Sequence, residues 1–230
     1  MKNKVLILSG GLDSTVLLYD SYVKYGNNLH TLTYDYGQKH MKEIDCAFKI
    51  SKKLNIHNRI LDVTFIKSIA RSALTSSDID VPNIKDVLGD PQPVSYVPNR
   101  NMMLLSIAAS YAESINADEV IYGAQAHDTF SGYWDASPEF LTAINNVLNL
   151  NRRNKIQITA PFINMNKTDI VKLGQKLNVD YSDTWTCYNG REKACGTCPT
   201  CANRLKAFID AKIKDPIEYE VNIDWSKYGI

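Results

Sequence analysis

The sequence has almost no excess of charge and no long apolar run. Its 230 residues carry 26 lysine and arginine side chains against 25 aspartate and glutamate side chains, a formal net charge of +1. A balanced charge creates no field that would draw the chain onto DNA or an anionic membrane. A helix that spans a bilayer needs roughly 18 apolar residues, and every apolar run here is far shorter. We therefore expect a cytoplasmic protein, without membrane contact and without direct nucleic-acid contact.

Disordered and fibrous compositions are absent as well. Hydrophobic residues make up 44% of the chain, and 11 glycines and 8 prolines complete an ordinary globular composition. A chain of this length buries about 70% of its unfolded surface and needs no disulfide to fold. Since a domain takes roughly 150 residues, we predict a main domain over residues 1–180. Residues 181–230 are predicted to form a small cysteine-bearing segment that packs on the same domain.

Short apolar runs alternate with stretches of helical periodicity along most of the chain. The pattern predicts strands at residues 5–8, 29–34, 59–63, 119–122 and 156–159. It predicts helices at about 13–25, 39–54, 101–115, 139–150, 167–177 and 202–212, with a short one ending near Ala73 and Asn166 as an N-cap. This alternation is typical of right-handed crossovers and a mostly parallel sheet, the α/β class. Residues 74–98 and 123–138 are predicted to be loops, and residues 219–223 a strand-like tail.

The segment SGGLDST, residues 9–15, joins the first predicted strand to the first helix. Its two glycines allow a tight turn and a close approach of the backbone to a ligand. The helix start adds unpaired N–H groups and the positive end of the helix dipole. The hydroxyls of Ser9, Ser14 and Thr15 add further donors. Together these groups predict a site for phosphate oxygens.

Asp13 carries a carboxylate into this predicted anion site. That arrangement is electrostatically favourable when Mg²⁺ bridges the carboxylate to phosphates. Neither the G-x-x-x-x-G-K-S/T loop nor the G-x-G-x-x-G fingerprint occurs at this position. The alternative interpretation is an ordinary strand–helix turn in which serine and aspartate only cap the helix.

Four of the five cysteines, Cys187, Cys195, Cys198 and Cys201, lie within 15 residues. Four thiolates are the set that structural zinc prefers, and they leave no open position for a catalytic water. An iron–sulfur cluster and free or redox-active thiols are the alternatives. The fifth cysteine, Cys46, lies in a helical stretch and is predicted to be a small core residue, with a reactive thiol as the alternative.

The S-G-G-x-D-S motif resembles the loop of the PP-loop ATP pyrophosphatases, which cleave ATP between its α- and β-phosphates. Further segments narrow the resemblance: YGQKH at 36–40, VPNRN at 97–101, Pro161 followed by Lys167 and Ile170, and Cys-Tyr-x-Gly at the start of the cysteine loop. With these segments, the sequence resembles the 7-cyano-7-deazaguanine synthase (QueC) family over essentially the whole chain. The resemblance implies a Rossmann-like, adenine nucleotide alpha hydrolase-like PP-loop domain with a parallel sheet and a small C-terminal four-cysteine zinc segment.

Membership of that family implies an AMP-forming carbon–nitrogen ligase of the queuosine pathway. ATP adenylates the carboxylate of 7-carboxy-7-deazaguanine, ammonia then gives the amide, and a second ATP activates the amide for dehydration to the nitrile. The implied cofactor is a structural zinc in the four-cysteine site, with ATP and Mg²⁺ as co-substrate. The partners implied are the deazaguanine substrate, ATP and a second copy in a homodimer.

The resemblance implies roles for the residues of the glycine-rich turn, and the chemistry of further side chains suggests roles for them. The catalytic candidates are Asp13, Ser14, Arg100 and Lys167. ATP contacts are expected from these residues and from Leu8, Ser9, Gly10, Gly11, Leu12, Thr15, Thr33 and Tyr34, with adenine against the second strand near Thr31–Tyr34. Substrate contacts are expected from Tyr36, Gln38, His40, Asn101, Gly123, Asp128, Ser131, Gly132, Tyr133 and Asp135.

Several of these residues also have purely structural interpretations. Arg100 and Lys167 suit solvated positions at helix starts, and a lone histidine such as His40 is often structural. Asp128 and Asp135 suit loop capping, and the aromatic rings at 133 and 134 suit the sealing of a core.

Two segments depart from the family pattern. Asn99 stands where V-P-G-R-N has glycine, and residues 131–140 read SGYWDASPEF where S-G-Y-P-D-C-R-P-E-F is usual. Losing the loop arginine removes a bidentate oxyanion contact that Ser137 cannot restore. The alternative hypothesis is therefore a QueC-like enzyme that keeps adenylation but transfers the acyl group to another amine, such as a protein amine in an anti-phage system. Less favoured are a tRNA thiolase, for which only Cys46 lies outside the metal set, and an ATP-binding module without turnover.

Overall fold

The computed structural model describes residues 2–126 and 133–230. Its strands are β1 (Lys4–Ile7), β2 (Leu29–Asp35), β3 (Asn58–Asp62), β4 (Glu119–Ile121) and β5 (Gln157–Thr159). Its α-helices are α1 (Leu12–Tyr25), α2 (Lys42–Lys53), α3 (Ile66–Ile69), α4 (Arg100–Ser114), α5 (Pro138–Leu148), α6 (Lys167–Lys176) and α7 (Pro199–Ala211). Each predicted strand of the sheet is present within two residues of its predicted limits. The predicted α/β class is confirmed.

The five strands form one parallel sheet in the order β3-β2-β1-β4-β5. Strand β1 reads Lys-Val-Leu-Ile, and its Val5 and Leu6 are fully buried on opposite faces, as a central parallel strand requires. The chain leaves β1 toward β2 on one side and later returns to pair β4 on the other. The carboxyl ends of β1 and β4 are therefore a topological switch point, where open α/β sheets place their ligand crevice.

Helices cover both faces of the sheet and create two cores. One core joins the sheet to α4 and α5 through residues such as Leu105, Ala108 and Phe140. The other joins it to α1, α6 and α7 through residues such as Val16, Ile170 and Phe208. Asn166 caps α6 as predicted, because its side chain accepts a hydrogen bond from the Asp169 amide at 2.9 Å. Among the described helices, none has the length and apolar character needed to cross a membrane.

Residues 74–98 form the predicted loop, in which the structure adds only a 3₁₀ turn at Ile84–Asp86. The loop is held against the cysteine segment by a hydrogen bond from the Ile84 amide to the Thr197 carbonyl at 3.0 Å. It is also held against the start of α2, because the ammonium group of Lys39 donates to the Ile79 carbonyl at 2.6 Å.

Two predicted elements are wrong, one in type and one in length. The tail at 219–223 is not a strand, because its pairing is a single bridge between Ala194 and Tyr219. Helix α3 ends at Ile69 rather than near Ala73, because the Ala73 amide donates to Val94 of the long loop instead of continuing a helix. At the other boundaries, α2 begins at Lys42 rather than 39 and α7 at Pro199 rather than 202, where a proline is favourable in the first helical turn.

Candidate active site

A cavity of about 300 Å³ lies at the carboxyl ends of β1 and β4. The predicted site residues that line it are Leu8, Ser9, Gly11, Leu12, Asp13, Ser14, Tyr34, Tyr36, Gln38, His40, Arg100, Asn101, Gly123, Tyr133 and Lys167. These residues come from the end of β2, from the connections that follow β1, β2 and β4, and from the starts of α1, α4 and α6. The sheet topology therefore brings most of the predicted ATP and substrate residues to one crevice.

The glycine-rich turn is shaped by close packing against α2. Gly10 has a φ of +85°, and a Cβ at this position would lie 2.0 Å from the Glu43 carbonyl oxygen. The Ser9 and Ser14 hydroxyl oxygens lie 3.0 Å apart, and the Gly11 amide donates to the Ser9 hydroxyl at 3.1 Å. The turn thus presents backbone N–H groups and two hydroxyls beside the start of α1, which is the chemistry of a phosphate cradle.

Asp13 and Lys167 meet across this cradle although they are 154 residues apart in the chain. The Lys167 ammonium donates to Asp13 Oδ2 at 2.8 Å, and both side chains are mostly buried. Asp13 Oδ1 is buried with no hydrogen-bond partner among the described residues. A carboxylate oxygen is a hard ligand of the kind that Mg²⁺ takes, so the cradle has a donor suited to a divalent cation.

Arg100 closes the opposite side of the cavity. It begins α4 directly after Asn99, whose φ of 54° is left-handed, so asparagine occupies a position that favours glycine. Its Nη1 donates to the Tyr36 hydroxyl at 3.3 Å. Burial raises the pKa of Tyr36 and keeps its hydroxyl protonated. Arg100 therefore holds a fixed guanidinium at the cavity wall, suited to an oxyanion.

Two buried polar groups beside Gly123 have no hydrogen-bond partner in the described part of the chain. They are the Tyr122 hydroxyl and the Gln125 side-chain nitrogen, and both residues line the cavity. Burial raises the pKa of Tyr122 to about 12, so the hydroxyl is a donor at neutral pH. Buried polar groups in native proteins are usually paired, so these two donors are suited to a ligand with acceptor atoms.

Other predicted site residues do not line this cavity. Gly10 faces α2, Thr15 is fully buried, and the Thr33 hydroxyl donates to the Leu8 carbonyl at 2.7 Å. Asp135 is buried behind Arg100, and burial raises the pKa of its carboxyl group. Asp128, Ser131 and Gly132 lie outside the described residues.

The Gln38 side chain, predicted to contact the substrate, is hydrogen-bonded to the backbone near the end of β2. Its amide accepts from the Tyr36 amide at 2.9 Å and donates to the Tyr34 carbonyl at 3.1 Å. Both ends of the side chain therefore hold the turn that follows β2, which positions Tyr36 and His40.

Sequence reasoning missed several lining residues, namely Ile7, Glu43, Leu104, Tyr122, Ala124, Gln125, Ala136, Thr186, Tyr188 and Thr200. Two had a signal that could have found them. Glu43 follows His40 by three residues at a helix start, a spacing that faces the same side. Tyr188 directly follows the first cysteine of the cluster, which fixes its backbone. The remainder depend on the strand order, which no local pattern reveals.

The four clustered cysteines form a buried group whose sulfur atoms all lie within 4.8 Å of one another. Backbone N–H groups surround the sulfurs: the Cys195 amide donates to Cys187 Sγ at 3.3 Å, and the Cys198 amide to Cys195 Sγ at 3.3 Å. These residues can hold a metal ion. A tetrahedral ion with metal–sulfur bonds of about 2.3 Å needs sulfur separations of about 3.8 Å, which fits one ion in this group. Cys46 is a separate, half-buried free cysteine packed against two cores.

Arg204 connects the cysteine segment to the glycine-rich turn. It is fully buried and makes a bidentate ion pair with Asp215 at 2.7 and 2.9 Å. Its remaining donors bind the Thr184 and Thr186 hydroxyls and the Tyr181 carbonyl. Trp185 lies between Thr184 and Thr186, and its amide donates a hydrogen bond to the Gly10 carbonyl at 3.1 Å. The segment 181–186 is thereby fixed behind the phosphate cradle.

A parallel five-stranded sheet, a Ser-Gly-Gly turn with an acidic residue at its switch point, and a four-cysteine group define an α/β protein of the PP-loop class. A sequence model of the family described as "Queuosine biosynthesis protein QueC" matches residues 3–212. The chain belongs to that family.

Curated relatives agree with this assignment. The "7-cyano-7-deazaguanine synthase" of Caldicellulosiruptor saccharolyticus is 44% identical over 97% of this chain and 98% of its own. The protein of the same name from Picrophilus torridus is 46% identical over 96% of this chain and 92% of its own. Among solved structures, NMN synthetase from Francisella tularensis has a TM-score of 0.49 at 16% identity, covering 99% of this chain and 82% of its own. The predicted family and the prediction of an enzyme are confirmed.

Proposed function

We propose that this protein converts 7-carboxy-7-deazaguanine to 7-cyano-7-deazaguanine, the activity named for its curated relatives. ATP first adenylates the substrate carboxylate, ammonia then forms the amide, and a second ATP activates the amide for dehydration. Adenylation is needed because a carboxylate would otherwise have to expel oxide, whereas AMP is a good leaving group. The enzyme must then align the reactants and neutralise the developing charge.

The observation that carries the proposal is the single crevice that joins the phosphate cradle to Arg100 and to unpaired donors. The cradle residues Ser9, Gly11 and Ser14 suit the leaving pyrophosphate. Lys167 neutralises phosphate charge, and Arg100 on the facing wall suits the substrate carboxylate. An arginine fork and a lysine point charge each match the anion assigned to them.

Asp13 is the residue that would hold Mg²⁺, through the oxygen that has no other partner among the described residues. When bound, the ion supplies charge neutralisation at the phosphates. Asp13 and Lys167 also orient each other through their 2.8 Å contact. A lysine bound in this way keeps its ammonium group directed at the cradle rather than at solvent.

We further propose that the four-cysteine group binds zinc as a structural ion. Four buried thiols with N–H donors to their sulfurs favour a closed tetrahedral site over a catalytic one. Metal analysis of the purified protein should give about one zinc per chain. Iron with bound sulfide in place of zinc would contradict this assignment.

One observation favours the second candidate, transfer of the activated acyl group to another amine. Ser137, at the position where the family pattern has arginine, caps α5 by accepting from the Phe140 amide at 3.0 Å. Ala136, at the position of the pattern's cysteine, lines the cavity with a methyl group. The acceptor side of the cavity therefore lacks both functional groups of the usual loop.

Mass spectrometry on the protein with ATP, Mg²⁺, ammonium and 7-carboxy-7-deazaguanine separates the two candidates. Nitrile together with AMP is the result expected for the first. AMP or a trapped adenylate without nitrile favours the second, and the deazaguanine mass on a partner protein would then identify the acceptor. Absence of AMP and pyrophosphate would contradict both.

Two predicted properties accompany the proposal. The family resemblance implies a homodimer, and light scattering on the purified protein tests that state. A cytoplasmic location is expected for an enzyme that consumes ATP, and cell fractionation tests it.

A further inference from the structure

We propose that Glu43, aligned by His40, binds the ammonium ion used in amide formation and takes a proton from it during the attack. This inference rests on the proposed function, because it assigns a subsite for that reaction's nitrogen donor. It starts from a carboxylate in the cavity that the adenylation chemistry does not use.

Glu43 lies in the first turn of α2 and lines the cavity beside the phosphate cradle. Its Oε1 lies 3.4 Å from the position of a Cβ built on Gly11, so one carboxylate oxygen faces the glycine-rich turn. Its Oε2 lies 3.3 Å from His40 Nε2. His40 is 2% exposed, which fixes both members of the pair.

Among the described residues, Glu43 has an ion-pair contact with His40 and none with a lysine or arginine. The neighbouring ammonium groups are engaged elsewhere: Lys39 donates to the Ile79 carbonyl and Lys42 to the Glu192 carbonyl, each at 2.6 Å. Residues 127–132, HDTFSG, contain neither lysine nor arginine. By contrast, the other carboxylate of the cradle, Asp13, has Lys167. A mostly buried carboxylate beside an anion site is costly unless a cation joins it.

The surroundings of the pair suit a small cation rather than a second phosphate group. The rings of Tyr36 and Tyr188 flank His40, with centroid distances of 6.3 and 5.5 Å. Both tyrosines line the same cavity as Glu43. Aromatic rings next to a carboxylate are the groups that attract an ammonium ion, through cation–π and ionic contacts together. Protonated ammonia, the ammonium ion, is such a small cation.

The position of Arg100 completes the argument. Its Nη1 donates to the Tyr36 hydroxyl, which lies 3.4 Å from His40 Nε2. The path of contacts from Arg100, proposed to hold the substrate carboxylate, to Glu43, proposed to hold ammonium, therefore runs through the Tyr36 hydroxyl and the His40 imidazole. Because Arg100 and Glu43 line the same cavity, a bound nitrogen and an adenylated carboxyl group can be held in one site, as the attack requires.

Ammonium transfers one proton to Glu43 Oε1, and the nitrogen lone pair attacks the acyl carbon to form the C–N bond. The C–O bond to the phosphate breaks, and AMP leaves with its electron pair. The nitrogen loses a second proton to solvent to give the amide. His40 is a positioning residue, whose Nε2–H donates to Glu43 Oε2 and keeps the other oxygen directed at the cavity.

Hydroxylamine provides the test, since near neutral pH it is largely unprotonated and attacks an acyl adenylate without a base. In Glu43→Gln, we expect the kcat/KM for ammonium in amide formation to fall about 10²-fold or more. Hydroxamate formation, which needs ATP, Mg²⁺ and 7-carboxy-7-deazaguanine, should remain within about threefold of wild type. His40→Gln should change the ammonium kcat/KM in the same direction by a smaller factor, because the carboxylate stays in place.

Asp45→Asn is the matched control, since Asp45 is an exposed carboxylate in the same first helical turn. It should leave both reactions unchanged. An unchanged ammonium kcat/KM in Glu43→Gln overturns the inference. So does a parallel loss of hydroxamate in a variant that melts like wild type, because Glu43 would then act in adenylation. A wild-type protein that makes no hydroxamate contradicts the proposed function instead.

Discussion

At the scale of single residues, the two glycines of the glycine-rich turn have different roles. Gly10 is needed for packing, because its missing side chain admits the backbone of α2. Gly11 is needed at the cavity, where it lies beside Ser9 and Glu43. The sequence predicted a tight turn and a close approach to a ligand for both glycines together, and the structure places Gly10 against α2 and Gly11 at the cavity.

Gly10→Ala should destabilise the protein severely. A Cβ would lie 2.0 Å from the Glu43 carbonyl oxygen, and the φ of +85° is unfavourable for alanine. Left-handed strain and overpacking together predict a loss of about 2–5 kcal/mol in the free energy of unfolding. Gly89→Ala is the control, because Gly89 has a φ of +80° with no atom within 4 Å. Equal losses in the two variants, measured by urea unfolding, would show that the contact with α2 is unimportant.

Asp13→Asn should weaken the use of Mg²⁺–ATP while leaving the fold intact. The amide keeps the shape but removes the charge that faces the cradle. We expect the apparent affinity for Mg²⁺ in pyrophosphate release to fall at least about 10- to 100-fold. Asp20→Asn, on the same helix and paired only with Lys24 among the described residues, should behave like wild type. An unchanged Mg²⁺ titration for Asp13→Asn would exclude this aspartate as the ion's ligand.

At the scale of elements, the cysteine segment is connected to the sheet by hydrogen bonds as well as by apolar packing. Arg204 on α7 binds Asp215 beyond the end of that helix and two threonines in the segment before the cysteines. Tyr219 adds a hydrogen bond to Asp215 at 2.7 Å. The start of the predicted tail strand is thus held by a side-chain hydrogen bond and by the single backbone bridge to Ala194, not by a strand of the sheet.

Arg204→Met should therefore destabilise the protein and disturb ATP binding together. Removing one partner of a buried ion pair leaves the other charge unpaired, which costs about 3–5 kcal/mol in the free energy of unfolding. The KM for ATP should also rise, because segment 181–186 supports Gly10. Lys206→Met, at an exposed position of α7 where the lysine pairs with Asp210, is the control and should change neither quantity. A destabilised Arg204→Met with an unchanged KM for ATP would separate the two effects.

At the scale of the whole molecule, we expect the stability in acid to depend on paired carboxylates such as Asp183. Asp183 is buried beside the end of α2, with Lys49 and Lys53 of that helix as its partners. Burial alone would raise the pKa of this carboxyl group, but hydrogen bonds from the two lysines outweigh it and hold the pKa below 3.8. A lowered folded-state pKa stabilises the protein above the unfolded value, and this contribution is lost as pH falls through the folded pKa.

Asp183→Asn should accordingly be most harmful near neutral pH. Between about pH 6 and pH 3, the difference in unfolding free energy between wild type and Asp183→Asn should shrink. Asp78→Asn removes an exposed partner of Arg71 and should cost less than about 1 kcal/mol at any pH. Chemical unfolding at several pH values measures both variants. A constant difference for Asp183→Asn across that range would contradict the linkage.

The sequence by itself determined the elements and the chemistry that each carries. The all-apolar run at 5–8, the SGGLDST turn and the four-cysteine spacing are local patterns. Each indicates its structure through residues that are neighbours in the sequence. Such patterns predicted the α/β class, the glycine-rich turn and the four-cysteine group, and the family needed the further segments at 36–40, 97–101 and 161–170 as well. The predicted end of the short helix near Ala73 was wrong, because the Ala73 amide donates to the carbonyl of Val94, which is distant in the sequence.

Only the tertiary structure decided which residues meet. Asp13 and Lys167 are far apart in the chain, and the strand order brings α1 and α6 together so that the two side chains touch. The same order sets Glu43 beside Gly11 and Tyr122 beside the cavity, although no pattern near Tyr122 marks it and the spacing of Glu43 from His40 does not show what Glu43 faces. Arg204 is an ordinary helical arginine in the sequence, and its burial follows from the fold around it. Such contacts arise from long-range packing, which a period of 2 or 3.6 residues does not encode.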